Sequence, residues 1–174
     1  MEGPPRDDAA FRALYDRAAP RIHAYARKVG GADTADEVVQ DTFLRWLTAS
    51  PPPMTEEQTM SYLFKIATRL TIDRWRSRAR ERAHLGEPLP GEALESVPAE
   101  PAARDLDHDL ERALGRLKPR DRALLWLAYV EGQPHREVAR ALGLGETSVR
   151  VLLFRARRRL AAILEEAGLA PEAP

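Results

Sequence analysis

The apolar residues of this chain recur every three or four positions almost from end to end, and strand-like alternation is weak. Phe11, Leu14, Tyr15, Ala18, Ile22, Tyr25, Ala26 and Val29 form a first stripe. Gly30-Gly31 closes it, and Pro20 is expected to kink or split that helix. Ala35, Val38, Val39, Thr42, Phe43, Trp46 and Leu47 form the buried face of a second helix. Thr34-Ala35-Asp36-Glu37 reads as its capping box, and Ser50 with three prolines ends it. Another capping box, Thr55-Glu56-Glu57-Gln58, opens a long helix through Tyr62, Leu63, Ile66, Ala67, Leu70, Ile72 and Trp75. The periodicity then lapses over about residues 83–106, where Pro88, Pro90, Pro98 and Pro101 fall. It resumes with Leu106, Leu110, Ala113, Leu114 and Leu117, then Pro119 followed by Ala123, Leu124, Leu127, Ala128 and Val130. Two further helices are predicted over His135–Leu142 and from Glu146 to about Glu166. The pattern predicts an all-α chain of two small helical domains, residues 1–82 and 107–174. The linker between them, residues 83–106, is expected to be flexible, since it cannot bury enough surface to offset its ordering entropy.

Charge follows the same division. The net charge is zero, but residues 1–80 carry +2, residues 81–109 carry −6 and residues 110–174 carry +4. Attraction of the whole chain to DNA is excluded, whereas local basic faces are not. Cysteine is absent, which removes disulfides, thiolate metal sites and thiol catalysis. The histidines, His23, His84, His108 and His135, lack ligand spacing, so neither a metal nor another cofactor is expected. No apolar run approaches the roughly 18 residues of a membrane span, and the first residues do not read as a signal peptide. A soluble, cytoplasmic chain without membrane insertion is therefore expected. No glycine-rich phosphate loop or nucleophile motif occurs, so the chain reads as a binding protein before it reads as an enzyme.

The binding chemistry is most legible near the C-terminus. His135-Arg136-Glu137-Val138-Ala139-Arg140-Ala141-Leu142-Gly143-Leu144, followed by Thr147-Ser148-Val149-Arg150, has the form of a helix-turn-helix. Val138, Ala139 and Leu142 should pack inward, with Ala139 small at the helix crossing, Gly143 in the turn and Leu144 plugging the angle. Val149, Leu153, Ala156 and Leu160 lie on one stripe of the second helix. Thr147, Val151, Phe154 and Arg158 lie opposite, flanked by Arg150 and Arg155. A helix entering a major groove presents such a face, and the Arg155, Arg157, Arg158, Arg159 cluster would mostly reach phosphates. An ordinary helical hairpin is the bland alternative.

The N-terminal block narrows the class. Ala35-Asp36-Glu37-Val38-Val39-Gln40-Asp41-Thr42-Phe43-Leu44-Arg45-Trp46 resembles the core-binding helix of sigma factors of the extracytoplasmic-function (ECF) group. Tyr62-Leu63-Phe64-Lys65-Ile66-Ala67-Thr68-Arg69-Leu70-Thr71-Ile72-Asp73-Arg74-Trp75-Arg76 resembles that family's promoter-melting segment. Leu114-Gly115-Arg116-Leu117-Lys118-Pro119-Arg120 through Leu160 resembles its second domain. The resemblance implies a transcription initiation factor with no catalysis of its own. Its partners would be the core RNA polymerase, through the β′ clamp helices and the β flap, promoter DNA and an anti-sigma factor. Asp36, Glu37, Gln40 and Asp41 match the polymerase-binding face. Residues 50–60 match the loop that cradles a flipped −10 base. Tyr62, Lys65, Arg69, Arg74, Trp75, Arg76, Arg78 and Arg80 match the −10 surface, with Tyr62, Phe64 and Trp75 as stacking platforms. Thr147, Ser148, Arg150, Val151, Phe154, Arg155 and Arg158 match the −35 reader. The acidic linker would thread the polymerase cleft.

Two positions depart from the family pattern. Arg69 stands where most relatives carry asparagine, in a position tied to −10 recognition. Val151 and Leu152 stand where a small polar residue and an arginine are usual. The apolar pair could read thymine methyls, dock an apolar partner such as an anti-sigma factor, or reduce dependence on the −35 element. The alternative function is a stand-alone helix-turn-helix regulator that binds duplex DNA as a dimer.

Overall fold

The computed structural model describes residues 8–86 and 106–169, and every regular element among them is helical. The first bundle comprises α1 (Asp8–Gly30), α2 (Ala35–Ala49) and α3 (Glu56–Leu85). The second comprises α4 (Leu106–Gly115), α5 (Pro119–Leu125), α6 (His135–Leu142) and α7 (Glu146–Glu166).

Of the kink or split expected at Pro20, the split does not occur: α1 continues through it. Proline there removes one backbone donor. Its neighbours Ala18, Ala19 and Ile22 are all buried, and this packing on both sides holds the helix together. The helix ends where the first bundle is tightest. A Cβ on Gly30 would stand 2.6 Å from Thr71 Cγ2, so only glycine allows α3 this close. Gly31 then takes φ 106° and turns the chain.

The two predicted capping boxes have different fates. At Thr55 both bonds are present: Gln58 N–H donates to Thr55 Oγ1 at 3.2 Å, and Thr55 N–H donates to Gln58 Oε1 at 3.0 Å. At Thr34 neither forms. Residues Ala32–Thr34 make a 3-10 turn that runs straight into α2, and Thr34 is buried. The Glu37 carboxylate is drawn instead toward Arg74, 3.6 Å away on α3. Helix α2 stops at Ser50, which takes a left-handed φ of 42° just before the prolines.

Helix α3 extends to Leu85 and is closed by Gly86 at φ 71°. Residues 83–85, read as the start of the linker, are therefore helical, and the remainder of that linker, residues 87–105, lies outside the described residues. Helix α5 passes into a wider π turn over Trp126–Val130, in which Glu131 N–H donates to Trp126 O at 3.0 Å. The extra residue rotates Tyr129 and Val130 outward, and both are exposed. The two bundles are joined in space: α5 and α4 lie against α1, and α6 lies against α3. Their buried side chains form one connected core, from Leu14, Ile22 and Phe64 to Leu124, Val138 and Leu153.

Candidate nucleic-acid and partner interfaces

The helix-turn-helix forms as its sequence predicts. Val138, Ala139 and Ala141 are buried on α6, with Leu142 and Leu144 half-buried against the core. Gly143 takes φ 64°, the left-handed conformation that ends α6. Leu144 N–H reaches back to Ala139 O at 2.9 Å, which folds the plug over the turn. Val149, Leu153 and Ala156 seat α7 on α6. Thr147, Ser148, Arg150, Val151, Phe154, Arg155 and Arg158 are all exposed, so the predicted reading face is open to solvent. Phe154, 52% exposed, lies under the Arg158 guanidinium at 5.9 Å.

Two arginines of the cluster also have partners within the chain. Arg159 Nη1 donates to Asp121 Oδ2 at 2.6 Å, and that carboxylate is nearly buried in the first turn of α5. Arg157 lies 6.0 Å over the Tyr129 ring. Both side chains remain exposed. Leu152 packs half-buried against the core, so of the two departures only Val151 is exposed.

The long basic helix sorts its residues by phase. With 3.6 residues per turn, Tyr62, Lys65, Arg69, Arg76 and Arg80 share an arc of roughly 60° on α3. Lys65 Nζ sits 5.9 Å over the Tyr62 ring. Arg69, Arg76 and Arg80 are exposed. Arg76 faces Asp73 at 3.8 Å, and Arg80 Nε donates to Arg76 O at 3.3 Å. Arg74 falls outside this arc. Its Nη2 donates to Asp41 Oδ2 at 2.7 Å and lies 3.6 Å from Glu37 Oε2. Arg74 thus ties α3 to α2. Arg78 lies beside Gly31, also outside the arc, and Trp75 is half-buried. Phe64 is wholly buried, edge-on to Tyr25 at 5.6 Å between ring centroids, and cannot serve as a stacking platform. Burial also pushes the Tyr25 phenol far above its ordinary pKa, and its hydroxyl is 2.8 Å from Thr68 Oγ1. Of residues 50–60 only the first six precede α3, since Glu56 onward are helical.

On α2, Asp36, Glu37 and Gln40 are exposed and Asp41 is half-buried against Arg74. Asp36 Oδ1 lies 3.3 Å from His23 Nε2. The same face carries Leu44, 62% exposed, and Leu47, whose spacing predicts burial but which is exposed. Their phase places them with the four polar residues within an arc of roughly 140°. An apolar pair ringed by polar groups is the composition of a protein-binding surface. Helical phase alone would have found Leu44. Among the described residues no cluster of histidine and carboxylate groups could hold a metal, and no helix is long and apolar enough to cross a membrane.

These features define a helix-turn-helix DNA-binding protein of two helical domains. Residues 14–81 match the family Sigma-70 region 2, and residues 107–160 match Sigma-70, region 4. ECF RNA polymerase sigma factor SigL of Mycobacterium tuberculosis is 36% identical over 165 residues, 92% of each chain. ECF RNA polymerase sigma factor BldN of Streptomyces coelicolor is 30% identical over 161 residues, 90% of this chain and 61% of its own length. Among solved structures, the sigma factor RpoE of Bartonella quintana, in complex with the anti-sigma factor NepR, superposes with a TM-score of 0.67 at 25% identity. That likeness covers 89% of this chain and 96% of the other. The chain belongs to the ECF RNA polymerase sigma factors. Members of this family regulate transcription and are not catalysts.

Proposed function

We propose that this chain binds core RNA polymerase in the bacterial cytoplasm and directs it to promoters by reading −35 and −10 elements and helping to open the latter. The observation that carries this reading is the coexistence of a protein-binding face on α2, a cationic stripe on α3 and an open helix-turn-helix on α7. A stand-alone dimeric repressor needs a helix-turn-helix and a self-association face, but no cationic stripe for a separated strand.

In this reading Asp36, Glu37, Gln40 and Asp41, with Leu44 and Leu47, dock on the β′ clamp helices. The leucines supply apolar burial, and the polar groups fix register and exclude wrong partners. Tyr62, Lys65, Arg69, Arg76 and Arg80 meet the separated −10 strand, Tyr62 by stacking and the cations by following phosphates. Arg74 acts indirectly, by holding Glu37 and Asp41 in place. Arg78 and Trp75 support the same helix from its flanks. Thr147, Ser148 and Arg150 reach base edges of the −35 duplex from the first turns of α7. Val151 and Phe154 meet thymine methyls, and Arg155 and Arg158 meet phosphates. The second domain rests on the β flap, and residues 87–105 cross the cleft. An anti-sigma factor is the expected antagonist.

Core-polymerase affinity, measured by fluorescence anisotropy with Asp41→Arg and Leu44→Asp, tests the docking face. Both substitutions should abolish binding while leaving helicity unchanged. Wild-type affinity in both would overturn the assignment.

A further inference from the structure

We propose that the groove between α1, α4 and the π turn binds a small amphipathic carboxylate, a molecule with an apolar body and one carboxylate group. The groove has a volume of about 710 Å³, within the range of roughly 300–1,000 Å³ that holds small organic ligands. Val29, Leu114, Leu125 and Leu160 line it from buried or half-buried positions. The π turn over Trp126–Val130 carries Tyr129 and Val130 out of the core, and both line the groove from exposed positions, as does Leu110 of α4. Water therefore meets a concave apolar surface, which an apolar body would cover.

The polar groups select the other end of the ligand. Three cations, Lys28, Arg122 and Arg157, line the groove against one carboxylate, Glu111, a balance of +2. Lys28 is paired with Glu111, and Arg157 lies 6.0 Å over the Tyr129 ring. Arg122 has less. Its Nη1 donates to the neutral Lys28 O at 3.3 Å, and its Nε is buried without an acceptor among the described residues. Burial pushes this guanidinium below its ordinary pKa. A buried cation short of an acceptor is costly, and a carboxylate relieves it, because its two oxygens match the Nε and Nη2 edge of a guanidinium. A neutral or cationic apolar molecule would leave that donor unpaired. A phosphomonoester fits the same edge, but its second charge would lose water against leucines.

Fatty acids and aromatic acids share this chemistry, and the trial ligands separate them. Decanoate and phenylbutyrate, below micelle-forming concentrations, are titrated calorimetrically into the full chain, with decanol and decylammonium as the neutral and cationic counterparts. The titration needs neither polymerase nor DNA. One carboxylate should bind per chain, and the tighter of the two acids names the source. Decanol and decylammonium should bind at least about tenfold more weakly, the scale of a hydrogen bond to a charged group. From hexanoate to decanoate, affinity should rise by up to about fourfold per methylene. Among the three tryptophan indole NMR signals, that of Trp126, which lines the groove, should shift, and that of the buried Trp46 should not. Arg122→Met should weaken decanoate about tenfold or more while leaving decanol unchanged, a difference that a merely structural role would not produce. Should that variant lose helicity, Val130→Asp, at an exposed position on the groove, should repel decanoate to a similar degree. No saturable binding of either acid at millimolar concentration, equal affinity for decanol or decylammonium, or decanoate affinity unchanged by both variants would overturn the proposal.

Discussion

Arg159 separates a structural role from a DNA role in a measurable way. Its guanidinium is half exposed, yet it is paired at 2.6 Å with an Asp121 carboxylate that is 8% exposed. Arg159→Ala would strand that carboxylate in the second domain. Losing one partner of a fully buried pair costs about 3–5 kcal/mol, whereas an exposed pair contributes about 0–1. Asp121 sits in the first turn of α5, where the helix dipole offsets part of the loss. The geometry therefore places the cost near 2 kcal/mol, which is a fall in Tm of roughly 4–8 °C for a chain of this size. Thermal melts of Arg159→Ala, Asp121→Ala and the double variant would give the coupling directly. The double variant should be more stable than the sum of the single losses predicts. Arg158→Ala should leave Tm unchanged while weakening binding to the −35 duplex. Additive losses at Asp121 and Arg159, or a Tm unmoved by Arg159→Ala, would refute the reasoning.

Gly30→Ala should destabilise the first domain by about 1–3 kcal/mol through overpacking against Thr71. Thr71→Ser, which removes the Cγ2 methyl, should recover most of that in a chemical-denaturation series. Arg69→Ala should slow promoter opening, read by permanganate reactivity of the −10 strand, without altering core-polymerase affinity. Arg74→Ala should do the reverse, lowering core affinity through the freed Glu37 and Asp41.

Much of this architecture is readable from local pattern. The seven α-helices among the described residues follow apolar spacing, and the Thr55 box closes because both of its bonds lie within four residues. The helix-turn-helix follows for the same reason, as Ala139, Gly143 and Leu144 are neighbours. What eluded local reading depends on partners distant in sequence. The Thr34 box fails because Arg74 draws Glu37 and a 3-10 turn occupies its approach. Arg159 pairs with Asp121, 38 residues earlier. Phe64 looks like a platform until Tyr25 and Arg21 close over it. Val130 turns outward because of a single extra residue in the π turn. Leu44 is a different case: its phase was available, but an isolated leucine attracts no notice until its neighbours on the helix face are counted.

In the proposed function this chain confers promoter choice on a polymerase that lacks it. Transcription by purified bacterial core enzyme on a genomic DNA library, with and without the chain, tests it most directly. New transcripts with discrete start sites are expected, each preceded by common −35 and −10 sequences, and they should vanish with Leu44→Asp. A chain that yields no start sites with core enzyme, yet binds duplex operators tightly alone, would contradict it.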